Sequence, residues 1–235
     1  MDPITIRYKF TMEDGSREVF NLRLDPHKIE LITEKQEDLP IWTDLGFHQC
    51  PNCPLSNQKH PNCLIAVSLV SIVKGFEGLI SYNKVHVDVE SEGRLVSQDT
   101  TVQRGVSALM GLMIATSGCP HTAFFKPMAR FHQPMASRDE TIYRATTSYL
   151  MAQYFRKNDG LKADFELEGL KTIYHNMRTV NIAIAKRLRA ASETDSSVNA
   201  IILLDVYTQA LPLVIEESLA RIRHLFEPYF GDNML

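Results

Sequence analysis

The first twelve residues fix the frame into which the rest of the chain must fit. Ile4, Ile6, Tyr8, Phe10 and Met12 alternate with Thr5, Arg7, Lys9 and Thr11. That period of two is the pattern of a strand with one face buried. Asp14-Gly15 then supplies a tight turn, and Phe20, Leu22 and Leu24 resume the alternation until Asp25-Pro26 stops it. A β-hairpin is expected here. Val85, Val87 and Val89 alternate in the same way with His86, Asp88 and Glu90. Glu92-Gly93 turns that segment into Leu95-Val96, so a second hairpin is expected to pair with the first. A third short strand is expected near Ile29–Ile32.

Elsewhere the spacing changes to that of helices. Leu64, Val67, Leu69, Val70 and Val73 read as a short buried helix between Cys63 and about Phe76. Val102, Val106, Leu109, Met110 and Met113 share a helical face that ends near Ser117-Gly118, with Gly118 as the C-cap and Pro120 beyond it. Lys126–Pro134 is expected to be a connector or a single turn. Ser137-Arg138-Asp139-Glu140 is a capping box opening a helix toward Arg156. An amphipathic helix is expected over about Leu167–Ala191, and a last one over about Val198–Phe226, kinked at Pro212. The chain therefore reads as α+β. N-terminal antiparallel β-hairpins form a small sheet, and a mainly helical C-terminal half follows. The organisation expected is a single domain over 1–235, β-rich through residue 100 and helical from 101.

Composition limits the function classes. With 25 Lys and Arg against 28 Asp and Glu, the net charge is −3, which is no general footprint for nucleic acid. The alternation after Met1 argues against a secretory h-region. The most apolar run, Ala200–Ile215, is broken by Asp205, Gln209 and Pro212 and is too short and polar for a membrane span. A cytoplasmic protein is expected, with neither nucleic acid nor membrane as partner.

All four cysteines gather around one feature. Cys50-Pro51-Asn52-Cys53 is a C-x2-C turn inside Phe47–Leu55, Cys63 follows it, and Cys119 lies in Ser117-Gly118-Cys119-Pro120-His121. Pro51, Pro54 and Pro61 exclude regular helix from that loop. Four thiolates suit tetrahedral zinc, so a Zn2+ site on Cys50, Cys53, Cys63 and Cys119 is expected at the junction of the two halves. An iron–sulfur cluster is the alternative cofactor. His48, His60 or His121 could stand in for one cysteine. A thioredoxin-type pair is disfavoured, because Pro54 and a polar loop follow Cys53 where such a site needs a helix N-terminus.

After Cys119 come His121, Arg130 and His132, interleaved with Phe124, Phe125 and Phe131. Near a metal with an open position they could bind an anion or do acid–base work. The plainer reading is that they neutralise thiolate charge and pack. Asp164, Glu166 and Glu168 at a helix start, and Lys186, Arg187 and Arg189 at a helix end, suit the helix dipole. Leu203/Leu204/Val206 and Leu211–Ile215 read as core, with a homodimer face as the other option.

The chain resembles an uncharacterised bacterial family, a domain of unknown function, from end to end. The resemblance rests on the opening hairpin, on Phe47–Leu55, on Thr116–His121, on Pro127–His132 and on Val198-Asn199-Ala200. It implies a bacterial protein and carries no catalytic residue across. No catalytic motif is recognised. The leading expectation is a non-catalytic, zinc-stabilised binding or regulatory module with a protein or small-molecule partner. The alternatives are an enzyme or anion-binding protein using His121, Arg130 and His132 near the metal, and an iron–sulfur or thiol redox protein.

Overall fold

The structure is a computed structural model that describes residues 1–33, 38–76, 80–191, 198–202 and 219–230. Both hairpins form. β1 (Ile4–Met12) pairs with β2 (Arg17–Leu24) across Asp14-Gly15, and β3 (Lys84–Ser91) pairs with β4 (Arg94–Thr101) across Glu92-Gly93. β1 also lies antiparallel to β3, with Tyr8 opposite Val89 and Phe10 opposite Val87, giving the sheet order β2-β1-β3-β4. The sheet and the largely helical remainder agree with the α+β reading. The third strand shrinks to one bridge, Leu24 to Leu31.

The alternation sorts the sheet's two faces. Ile6, Tyr8, Phe10, Phe20, Leu22, Val85, Val87 and Val89 are buried on one side. The other side carries a charge ladder in which Lys9 Nζ lies 2.7 Å from Asp88 and Arg7 3.6 Å from Glu90. β4 buries almost nothing, and Leu95 and Val96 are exposed on it.

α1 (Leu64–Gly75) and α2 (Val102–Ala115) cover the apolar face of the sheet. Phe10 stands edge-on to Phe20 and Phe76, whose own rings stack 5.5 Å apart. Gly105 lets α2 come this close, since a Cβ there would sit 2.8 Å from the Phe10 ring and 2.9 Å from Val87. α2 ends two residues before the expected Ser117, and Gly118 then takes a left-handed φ of 84°. A 3-10 turn (Pro120–Phe125) runs into α3 (Lys126–Arg130). α4 (Arg138–Asn158) opens with the expected capping box between Ser137 and Glu140.

α5 (Glu168–Ala191) starts where Asp164 accepts from the Gly169 N–H at 2.8 Å and from the Tyr149 hydroxyl at 2.7 Å. These bonds hold the Asp164 carboxyl below its usual range, the cap from Gly169 being the largest cause. α5 packs its apolar stripe, Met177, Val180, Ile184 and Leu188, onto the main core. Residues 198–202 and 219–222 are helical, and the expected Pro212 kink and the 203–215 apolar runs lie outside the described residues. Among the described residues no single helix is long and apolar enough to cross a membrane.

Candidate functional site

The cysteine junction is corrected by the structure. Cys50 and Cys53 close a turn, with the Cys53 N–H donating to Cys50 O at 3.0 Å. Cys63 precedes α1, and Cys119 precedes the 3-10 turn. Burial, reinforced by the charges of the other thiols, pushes Cys50 up to about 12 and Cys119 up to about 11. Yet no group of three or more His, Cys, Asp or Glu side chains among the described residues is arranged to hold a metal ion. All four cysteines are free thiols. Cys50, Cys63 and Cys119 instead pack against the core as small apolar groups. Tetrahedral coordination needs four donors directed at one centre about 2.3 Å from each sulfur, and spacing in the sequence cannot guarantee that. The zinc-stabilised module and both metal cofactors, Zn2+ and iron–sulfur cluster, are therefore withdrawn.

His121, Arg130 and His132 do not converge either. His121 donates from Nε2 to Asn52 O at 2.7 Å and so ties the 3-10 turn to the C-x2-C turn. Arg130 reaches across to Glu92 in the β3–β4 turn at 3.0 Å. His132 alone turns inward, where Nε2 meets the Tyr8 hydroxyl at 2.5 Å. With that hydroxyl as donor, the neutral ring keeps its proton on Nδ1. Burial, reinforced by the Arg144 charge, pushes His132 down to about 3, so the ring is neutral in ordinary buffers.

His132 lines a cavity of about 230 Å3 that is open to solvent on one side. It lies at the seam between two apolar clusters. The larger spans the sheet, α1, α2 and the inner stripe of α5; the smaller joins Ile142 and Ala145 of α4 to Leu167, Leu170 and Tyr174. α2 supplies Ser107, Ala108, Leu112 and Ala115 to the wall. Phe125, Met128 and Ala129 come from the 3-10 turn and α3, Thr141 and Arg144 from α4, and Tyr174, Met177 and Asn181 from α5. Most of this lining is apolar. Met135, also in the wall, has a φ of 55°. A non-glycine residue there costs roughly 1 kcal/mol or more, and such strain clusters at functional sites.

The polar groups stand among these apolar residues. Arg144 Nη2 donates to Met128 O at 2.6 Å and Phe131 O at 2.9 Å, fixing the loop that follows α3. Tyr174 packs edge-on against Phe125, with ring centroids 5.5 Å apart. Within the cavity wall, no Ser or Thr hydroxyl hydrogen-bonds His132 among the described residues, so the pairing of nucleophile and base is not assembled.

Sequence spacing did contain a signal for this site. Thr141, Arg144 and Ala145 recur at i, i+3 and i+4, which puts a guanidinium on the inward stripe of α4. Arg187 is similar. It follows Val180 and Ile184 at helical spacing and is 1% exposed. It donates to Trp42 O, Asp44 O and Leu45 O at 2.7, 2.7 and 2.9 Å rather than merely completing the dipole.

The family described as Domain of unknown function (DUF6901) matches residues 6–227. The chain belongs to this family. No curated protein and no solved structure matches it. The DUF6901 match takes in both hairpins apart from Ile4 and Thr5, the cysteine turn and all the described residues that line the cavity.

Proposed function

We propose that this protein binds a small, mainly apolar molecule in the cavity between α2, α3, α4 and α5. One observation carries the reading: an open cavity of about 230 Å3, walled by apolar side chains, in which a few polar groups stand at fixed positions. That combination is the usual form of a small-molecule site. Binding is favoured over catalysis because the neutral His132 is committed to Tyr8 and faces no partnered nucleophile among the described residues. The site is separate from the cysteine turn, since no cysteine is among the described residues that line it.

The test uses the neutral fluorescent probe N-phenyl-1-naphthylamine with the full chain. Saturable binding, lost when Ala108→Trp fills the wall from α2, is the expected result. Binding that Ala108→Trp leaves unchanged would remove the cavity from consideration.

A further inference from the structure

Arg144 puts a positive charge in the cavity wall with no direct ion pair among the described residues. Arg144 is half-buried on α4, and among the described residues no carboxylate comes within ion-pair distance of it. The charge of Glu140, one turn earlier on α4, acts on Arg144 without pairing with it directly, and its oxygens accept elsewhere. Glu140 accepts from the Ser137 N–H at 2.7 Å and from Gln133 Nε2 at 2.5 Å. Arg144 spends only Nη2 on the two carbonyls, so Nη1 and Nε have no hydrogen-bond partner among the described residues. Tyr174 is 6% exposed, lines the same cavity, and its hydroxyl also has no partner there. The charge of Arg144 acts on Tyr174, so the two lie within electrostatic reach of each other. None of these donor atoms is fully cut off from solvent, but a ligand that fills the cavity would bury them, and a buried donor left unpaired costs roughly 1–3 kcal/mol, so the pair favours a ligand that brings an acceptor.

Resting on the cavity reading above, we propose that the ligand is an amphiphilic monocarboxylate. Its carboxylate accepts from the free N–H groups of Arg144 and from the Tyr174 hydroxyl, and its apolar tail lies along Leu112, Ala115, Met128 and Met177. A guanidinium matches a carboxylate in both charge and geometry. Two guanidiniums stand in the wall, Arg104 exposed and Arg144 half-buried; a single negative charge is met by Arg144 beside the apolar lining, whereas a phosphate dianion would bring a second charge there that only the exposed Arg104 could answer. His132, neutral and tied to Tyr8, adds shape without adding charge.

Calorimetric titration of the full chain with octanoate and with 1-octanol, of equal chain length, tests the assignment. Octanoate is expected to bind at least about tenfold more tightly, a difference of about 1.4 kcal/mol. Arg144→Gln should bring the two affinities together. Tyr174→Phe should weaken octanoate several-fold and leave octanol unchanged. If circular dichroism shows that Arg144→Gln does not fold, Tyr174→Phe alone decides. Equal binding of both ligands, each blocked by Ala108→Trp, overturns the carboxylate assignment and keeps the cavity reading. Binding of neither overturns both.

Discussion

Replacing Arg187 by methionine removes a buried charge while keeping most of the side chain's length. In the wild-type fold Nη1 serves Trp42 O and Asp44 O, Nη2 serves Leu45 O, and Nε is buried without a partner. Three carbonyls of the segment that leads into the cysteine turn therefore depend on one side chain of α5. Trp42 is 7% exposed and Leu45 1%, so water does not readily replace the guanidinium at those two oxygens. Each orphaned carbonyl costs about 1–3 kcal/mol. Part of that loss is offset, because methionine carries no charge to desolvate and no orphaned Nε. The expected net loss is about 3 kcal/mol, or roughly 6–12 °C in Tm for a chain of this size. Urea unfolding of wild type, Arg187→Met and Arg187→Lys measures it. Lysine keeps the charge but cannot spread two nitrogens over three carbonyls, so it should fall between the other two. A methionine variant within about 0.5 kcal/mol of wild type would refute the reasoning, since that is the range of an ordinary surface substitution. A second readout is Cys50, whose environment includes the Arg187 charge. That charge lowers the thiol, so its loss in Arg187→Met should slow Cys50 alkylation in the folded protein relative to Arg187→Lys, which keeps the charge.

The remaining expectations concern acid, packing, capping and thiols. His132 has a folded-state value depressed to about 3, below the ordinary value of about 6.5. Its contribution to stability is therefore complete above about pH 6.5 and is lost as pH falls from there toward 3. The difference in unfolding free energy between wild type and His132→Gln, measured along that range, should shrink; a constant difference would contradict it. Asp88, held down to about 2 chiefly by its hydrogen bond from Lys9, contributes above its ordinary value and loses that contribution only at more acid pH. Gly105→Ala should destabilise by about 1–3 kcal/mol from overpacking against Phe10 and Val87, less up to about 1 kcal/mol of helix propensity. A stabilised variant in thermal melts would contradict the close approach. Ser137→Ala should cost about 1 kcal/mol through loss of the cap on α4, again read by urea unfolding. In the folded protein, Cys50 and Cys119, raised to about 12 and about 11, should alkylate more slowly near pH 8 than a free thiol of about 8.5. Mass-spectrometric labelling that finds them fast would overturn that picture.

The local grammar of this chain settled its elements. Strict alternation at Ile4–Met12 and Val85–Val89, with Asp14-Gly15 and Glu92-Gly93 between strands, suffices for two hairpins because a strand's side chains change face at every residue. Ser137 and Glu140 likewise mark the start of α4, because a capping box is built from residues three apart. What elements meet across the fold was decided elsewhere. Cys50, Cys53, Cys63 and Cys119 have the composition of a metal site, but coordination depends on where three separate segments aim four sulfurs, and no local rule fixes that direction. His121, Arg130 and His132 are neighbours in the chain and part company in space, to Asn52, Glu92 and Tyr8. Conversely, Arg144 and Tyr174 stand thirty positions apart (174 − 144) and line one cavity, because α4 and α5 pack their inward stripes around the same seam. Periodicity could place each of them on an apolar stripe. Only the packing of those stripes against α2 and α3 left a cavity there, with a guanidinium in its wall.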